Sequence, residues 1–315
     1  MKRAARIIGL ILAIALIGYF LWFTAHSIDL AVIGALLTPG VILALVAAAL
    51  AYALIIPPSG WAWARLLSAQ GEQWPATWLA AVLAVTQIAK YVPGNVAQHA
   101  GRAALALQKG MKGRALLVSV LQETVFAASA SLLVGVAMLA ASGLGWSQIP
   151  PSARPVLTGA VIATLLAILT LATIRLPASM LAHSPYRVAR LIGQLGGLPG
   201  ARIGLPTLAV YAFNYLLIGL GLWGVAHAAA MPPTLGFQAI TAAFALSWLL
   251  GFMAPGAPAG LGVREGILVA LLQGTADDGH LLAFVLLARI VTMLGDTISF
   301  VWGSAWFTFN KGTHQ

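Results

Sequence analysis

Apolar residues form six stretches along the chain that are long enough to cross a bilayer. They lie at about residues 7–24, 38–56, 115–140, 156–175, 205–230 and 281–308. A hydrocarbon core about 30 Å thick needs roughly 20 apolar residues per helix, so the pattern predicts six transmembrane helices. The first stretch follows Lys2, Arg3 and Arg6, and we interpret it as a retained signal anchor because no small-residue cleavage site follows it.

Two further apolar stretches are interrupted in the middle by a Pro-Gly pair. They run over about residues 76–110 and 237–274. Each arm has only about 13 to 17 residues, which is too short to cross comfortably but suits one arm of a re-entrant helical hairpin. The glycines alternatively serve only tight turns or close packing. The break residues are Pro93, Gly94 and Asn95 in the first stretch, and Pro255, Gly256, Gly260 and Gly262 in the second.

Basic residues in the loops indicate the orientation, because Lys and Arg in short loops mark the cytoplasmic side. They flank the first hairpin, occupy the central loop and return near the C-terminus, which predicts cytoplasmic N- and C-termini. Six crossings and one re-entrant hairpin entering from each face of the membrane are consistent with this distribution of basic residues. The residues are Arg65, Arg102, Lys109, Lys112, Arg114, Arg175, Arg187, Arg190, Arg202 and Lys311.

An internal repeat appears when the two Pro-Gly breaks are superposed. The shift from Pro93 to Pro255 is about half the chain, and it maps the spans and hairpins of one half near those of the other. Each half has three crossings and one hairpin, and an odd number of crossings inverts the second half. We therefore predict an all-α polytopic membrane domain over residues 1–315, with inverted pseudo-repeats at about 1–145 and 150–315. The alternative is a chance recurrence of Pro-Gly in Gly-rich membrane helices.

Composition excludes a soluble domain and cysteine-based chemistry. Hydrophobic residues make up 61% of the chain and charged residues 8%, against about 25% charged in soluble domains. The formal charge of +10 is largely explained by the cytoplasmic loops, so a nucleic-acid partner is unnecessary. The chain has no cysteine, which excludes disulfides and Cys-ligated metals. We expect no cofactor and no metal.

Charged residues also fall within the apolar stretches, and we single out seven of them. Burying them against lipid would cost on the order of 20 kcal/mol, at about 2.5 to 3.5 kcal/mol for each charge. They must therefore face a wet cavity, one another or a ligand. The residues are Lys90, Arg102, Glu123, Arg264, Glu265, Arg289 and Asp296.

Lys90 and Arg264 each adjoin a hairpin break, which the repeat brings toward the midplane. A new half-helix starts after each break, and its N-terminus favours an anion; Asn95 can cap the first. Two cations and two helix N-termini predict a pocket for phosphate or carboxylate. Alternatively, Lys90 snorkels and Arg264 pairs with a carboxylate such as Glu123 or Asp296.

On the last span, Arg289 and Asp296 lie two helical turns apart, at about 10 Å, and cannot pair directly. Each needs another partner, and Glu123 and Glu265 are available. A static ion pair and a proton-coupled or gating role are both open for Glu123, Arg289 and Asp296.

The hairpin sequences resemble a known family. The stretch from Lys90 to Val96 with Gly101 and Arg102, and the stretch from Ala254 to Gly266, resemble the two signature stretches of the lysylphosphatidylglycerol synthase transmembrane-region family, the flippase-like part of the multiple peptide resistance factor. Ala257, Pro258 and Ala259 stand where many relatives are more glycine-rich. By position, the resemblance supports as motif residues Lys90, Pro93, Gly94, Asn95, Arg102, Gly262, Arg264 and Glu265.

The resemblance implies movement of a lipid between leaflets in a bacterial inner membrane, with a glycosyltransferase or another lipid-biosynthesis enzyme as a candidate partner. Because this sequence lacks the soluble aminoacyltransferase domain of two-part relatives, we expect no lysyl transfer. The leading hypothesis is a translocase for a phospholipid or polyprenyl-phosphate lipid, with Lys90, Asn95, Arg102, Arg264 and Glu265 lining its headgroup site. The alternatives are a non-catalytic accessory subunit and a membrane-embedded lipid-phosphate enzyme.

Overall fold

The computed structural model describes residues 37–91, 97–143, 154–177, 197–253 and 262–310, together with residues 152, 179, 185, 186, 193 and 260. The predicted first span at 7–24 lies outside the described residues. So do the break residues Pro93, Gly94, Asn95, Pro255 and Gly256.

The described chain is helical apart from one short antiparallel ribbon. The helices are α1 Pro39–Ala53, α2 Ile56–Ala69, α3 Ala76–Thr86, α4 Ala97–Gln108, α5 Gly113–Ser142, α6 Arg154–Thr173, α7 Ala201–Ala228, α8 Phe237–Met253, α9 Val263–Leu272 and α10 Asp278–Phe309. A 3₁₀ helix, Gln87–Tyr91, extends α3. The ribbon pairs β1 Arg175–Pro177 with β2 Gly197–Pro199.

Four described helical stretches are long and apolar enough to cross a bilayer, which confirms a helical integral membrane protein. They are Pro39–Ala69, Gly113–Ser142, Ala201–Ala228 and Asp278–Phe309, and they coincide with four of the predicted spans. Helix α6, Arg154–Thr173, covers most of the predicted span 156–175, and its segment Val161–Thr170 is among the shorter apolar helices.

The second predicted span is longer than the sequence indicates. The apolar pattern predicts an end near residue 56, before Pro57 and Pro58, but α2 begins there and extends the span to Ala69. Proline lacks an N–H group and is tolerated in the first turn of a helix, where that group has no intrahelical acceptor. The two prolines therefore mark the start of a second helix after a short interruption.

The short helices form two pairs. The 3₁₀ segment and α3 contact α4, and α8 contacts α9. These are the arms on either side of the two predicted breaks. Each pair also packs on a long helix: α3 lies against α10, and α8 lies against α5.

The order of helices recurs at the shift that separates the two Pro-Gly pairs, 255 − 93 = 162. Adding 162 to the first positions of α1, α3, α4 and α5 gives 201, 238, 259 and 275, and the helices α7, α8, α9 and α10 begin at 201, 237, 263 and 278. The packing recurs as well, since α5 contacts α8 as α10 contacts α3, and α5 contacts α7 as α10 contacts α1. The two halves therefore contact each other through equivalent pairs of helices.

Small and polar residues hold the helices together inside the bundle. Gly60 of α2 lies so close to α3 that an added Cβ would come within 2.6 Å of the Ala80 Cβ. Ser131 donates a hydrogen bond to the carbonyl of Ala245 at 2.6 Å. Close helix approach and interhelical hydrogen bonds are the usual contacts between membrane helices, because lipid removes the hydrophobic drive between them.

Candidate functional site

The described helices enclose a cavity of about 200 Å³ between the two halves. Every described helix except α6 and α10 contributes to its wall, and so does the 3₁₀ segment. Its charged lining residues are Lys90, Arg102, Glu123 and Arg264. The structure thus brings together four of the seven intramembrane charges around one space.

Lys90 lies at the end of the 3₁₀ segment and is held by α10. Its ammonium group lies 2.7 Å from the carboxylate of Asp296 and donates to the Tyr52 hydroxyl at 3.1 Å. Tyr91 donates to the other oxygen of Asp296 at 2.6 Å. Asp296 is only 1% exposed, so its charge depends on these partners. Lys90 lines the cavity, but Asp296 already balances its charge.

Arg102 of α4 is paired with Glu123 of α5. Its Nη2 atom lies 2.5 Å from Glu123, and the Tyr211 hydroxyl donates to the second carboxylate oxygen at 2.9 Å. The guanidinium stacks over the ring of Trp63, 4.1 Å from its centroid. Trp63 is fully buried and donates its own N–H to Ser119 at 3.0 Å. The Arg102 charge is therefore neutralised and positioned from three helices.

Arg289 and Glu265 form a third pair, away from the cavity wall. The Nη1 atom of Arg289 lies 3.3 Å from Glu265, which links α10 to α9. Glu265 also accepts the backbone N–H of Gly262 at 2.7 Å, at the start of α9. Arg289 and Asp296 have different partners, as their spacing on α10 predicted.

Arg264, at the start of α9, differs from the other three cations. Among the described residues it has no carboxylate partner. Its Nε atom is buried without a hydrogen bond, as is the Nε atom of Arg102. Its alkyl chain lies against Gly251 and Gly260, where an added Cβ would overlap it. Its guanidinium lies 5.2 Å from the centroid of the Phe244 ring. Arg264 is 8% exposed and lines the cavity.

After pairing, the seven intramembrane charges leave one unbalanced positive charge. Four cations and three carboxylates give a sum of +1, and three ion pairs account for six of them. The charge left over is that of Arg264, and it lies on the cavity wall. Such an arrangement can hold an anion.

The chain matches one protein-family model over most of its length. The family is described as the lysylphosphatidylglycerol synthase TM region, and the match covers residues 10–299. The chain belongs to this family. No curated protein matches the chain.

In this member of the lysylphosphatidylglycerol synthase TM region family, the predicted site residues divide into two groups. Lys90, Arg102 and Arg264 line the cavity, while Glu265 lies on α9 as the partner of Arg289. Gly260 supports the side chain of Arg264. Asn95 lies outside the described residues.

Sequence reasoning missed the aromatic residues that hold these charges. Hydrogen bonds to the paired side chains come from Tyr52, Tyr91 and Tyr211, and Trp63 stacks on Arg102. A cluster of tryptophans around residues 61–78 is typical of an interfacial segment, whereas Trp63 is buried. Of these residues, the sequence itself indicates Tyr91, because Tyr91 directly follows Lys90. For the others, only the packing of distant helices creates the contact.

Proposed function

We propose that this protein translocates a phosphate-bearing lipid between the leaflets of the membrane. The headgroup enters the cavity, and the tails remain in the bilayer. The observation that carries the proposal is Arg264, which is buried, lines the cavity and has no counter-charge among the described residues.

An unpaired guanidinium within a membrane is costly, at about 2.5 to 3.5 kcal/mol on insertion scales. Such a charge is usually retained because a ligand or a water-filled cavity needs it. A phosphate suits Arg264, because the planar guanidinium can donate two parallel hydrogen bonds to its oxygens. Arg264 is also near the first turn of α9, whose N–H groups favour an anion.

An aromatic row beside Arg264 offers the lipid tail a path to the bilayer. Tyr215 packs edge-on to Trp248 at 5.6 Å, and Trp248 stacks on Phe252 at 5.5 Å. All three line the cavity. The next residue after Phe252 is Met253, which is 69% exposed at the end of α8. A tail that follows this row would leave the cavity beside α8.

The recurrence of helices between the two halves supports an inverted repeat, in which the two short-helix pairs are re-entrant hairpins that meet at the midplane. Rocking of one half against the other would open the cavity to each side in turn. In this proposal both termini are cytoplasmic, the membrane is the bacterial inner membrane, and a glycosyltransferase or another lipid-biosynthesis enzyme supplies or consumes the lipid. The protein acts as a transporter and not as an enzyme.

The test is lipid movement in vesicles reconstituted with the purified protein. The probe is phosphatidylglycerol with a fluorescent tail label that dithionite quenches only in the outer leaflet. We expect the wild-type protein to expose the inner-leaflet pool and Arg264→Gln to abolish that exposure. The matched control is Arg114→Gln, an exposed arginine outside the cavity, which should leave the rate unchanged.

Equal rates for Arg264→Gln and the wild type would overturn the assignment of Arg264. Chemical conversion of the lipid, measured by chromatography after the assay, would favour a lipid-phosphate enzyme. If the reconstituted protein moved no lipid but co-purified with a biosynthetic enzyme, the accessory-subunit alternative would replace the proposal.

A further inference from the structure

Arg102 and Arg264 occupy equivalent positions in the two halves. Each follows its Pro-Gly pair at the same distance, since 102 − 93 and 264 − 255 are both 9. Each lies on the second short helix of its pair, lines the same cavity and stacks over an aromatic ring. The cavity therefore contains a duplicated arginine.

The duplication is not matched by the carboxylates. Glu123 pairs with Arg102, whereas the second half has no carboxylate at the equivalent position: a shift of 162 gives Val285, and the shift between the starts of α5 and α10, 165, gives Ala288. Glu123 is also the one carboxylate among the described residues that line the cavity. The charged or titratable side chains around it are Arg102 and His99 of α4 and Tyr211 of α7. Arg102 therefore has a carboxylate partner within the protein, whereas Arg264 has none among the described residues.

We propose that Glu123 is a specificity-determining residue that sets the headgroup charge this site accepts. Glu123 pairs with Arg102 in the same way as the substrate anion pairs with Arg264. It leaves one positive charge for the ligand, so the cavity selects a monoanionic phosphodiester lipid over a dianionic phosphomonoester. This inference rests on the proposed function, because it names the lipid class for the same site.

The physical reason is charge balance at low dielectric. A phosphodiester brings one negative charge and leaves the site neutral with Arg264. A phosphomonoester at pH 8 brings nearly two, because its second pKa is about 6. The extra charge finds Arg102 already neutralised and lies in the same cavity as Glu123. The extra charge therefore stays without a counter-charge in the cavity, and we expect this cost to give discrimination on the order of tenfold.

The experiment compares the binding of two lipids with identical tails to the full-length protein in detergent at pH 8. The probes are dioleoyl phosphatidylglycerol, a phosphodiester, and dioleoyl phosphatidic acid, a phosphomonoester. Each displaces a fluorescent phosphatidylglycerol, so the readout is a ratio of affinities. At pH 8 an ordinary histidine is neutral, which keeps His99 out of the charge count.

We expect the wild type to favour phosphatidylglycerol by about tenfold or more. Glu123→Gln should reverse or abolish that ratio, because two cations then face the ligand. Glu123→Asp should retain the wild-type ratio. The double variant Arg102→Gln/Glu123→Gln restores a single charge and should restore the preference, which a merely structural role of Glu123 would not predict.

Glu72→Gln is the matched control, since Glu72 lies outside the cavity and pairs with Lys112. Its ratio should equal that of the wild type. If Glu123→Gln and the double variant both bind with the wild-type ratio, the inference is overturned and the proposed function stands. If the wild type neither binds nor moves either lipid, the proposed function itself fails. If Glu123→Gln alone does not fold, Arg102→Gln replaces it: this variant removes a cation and keeps Glu123, so the preference for phosphatidylglycerol should rise above the wild-type value, and an unchanged value would overturn the inference.

Discussion

Asp296→Asn removes the counter-charge of Lys90 and keeps the size of the side chain. In the structure, Asp296 is 1% exposed, lies 2.7 Å from the Lys90 ammonium and accepts a hydrogen bond from Tyr91. The asparagine oxygen can still accept from Tyr91. The perturbation therefore isolates the charge and leaves Lys90 buried without a carboxylate.

The expected cost is about 3 kcal/mol of unfolding free energy. At 2.7 Å and an effective dielectric of about 20, the gross attraction is about 6 kcal/mol, and desolvation of both ions offsets part of it. Removing one partner of a buried ion pair typically costs about 3 to 5 kcal/mol. The insertion penalty of a single unpaired charge, about 2.5 to 3.5 kcal/mol, is of the same size.

The assay is reversible unfolding in mixed micelles, followed by tryptophan fluorescence, with a double-mutant cycle. Lys90→Met/Asp296→Asn removes both charges and should recover most of the lost stability, which gives a coupling energy of about 2 to 3 kcal/mol. Asp278→Asn is the matched control, because Asp278 is an exposed residue on the same helix, and it should change stability by less than about 0.5 kcal/mol.

Two results would refute this reasoning. One is a loss below about 1 kcal/mol for Asp296→Asn, which would mean that the pair is solvated. The other is strict additivity in the cycle, which would mean that the two side chains do not interact. In either case Lys90 would be available to a ligand, and Arg264 would not be the single unpaired cation among the described residues of the site.

Two further predictions concern packing and capping. Gly60→Ala should cost about 1 to 3 kcal/mol of unfolding free energy in the same assay, because its Cβ meets the backbone and Cβ of Ala80, whereas Gly224→Ala, with open space around it, should not destabilise. Asp277 accepts the backbone N–H of His280 at 3.0 Å, and this bond lowers the pKa of Asp277. Its contribution to stability is therefore present above the ordinary pKa of about 3.9 and is lost as pH falls through the lowered value; faster amide exchange at His280 in Asp277→Ala at neutral pH would show it.

The broad fold followed from the sequence because membrane spans have a strong local signal. An apolar run of sufficient length must be a helix in lipid, since every backbone group must find its hydrogen bond within the segment. Four of the predicted spans coincide with described helices of sufficient length and apolarity. The apolar stretch of the second span continues as α2 beyond its predicted end near residue 56, because Pro57 and Pro58 lie in the first turn of a new helix.

The list of buried charges was also available from the sequence. Lipid penalises a charge at any depth of the core, so each one signals a cavity, a partner or a ligand. The sum of +1 over the seven charges could be counted without a structure. The sequence also placed Arg289 and Asp296 too far apart on one helix to pair.

Which charge remained unpaired was decided only by the tertiary structure. Lys90 and Asp296 are 206 residues apart, and no local rule assigns Asp296 to Lys90 instead of Arg264. The choice depends on which helices contact each other, because an ion pair needs its atoms within about 4 Å. Local hydropathy therefore determined the membrane fold and its seven costly charges, while the packing of distant helices left Arg264 as the one of the four cations without a carboxylate partner among the described residues.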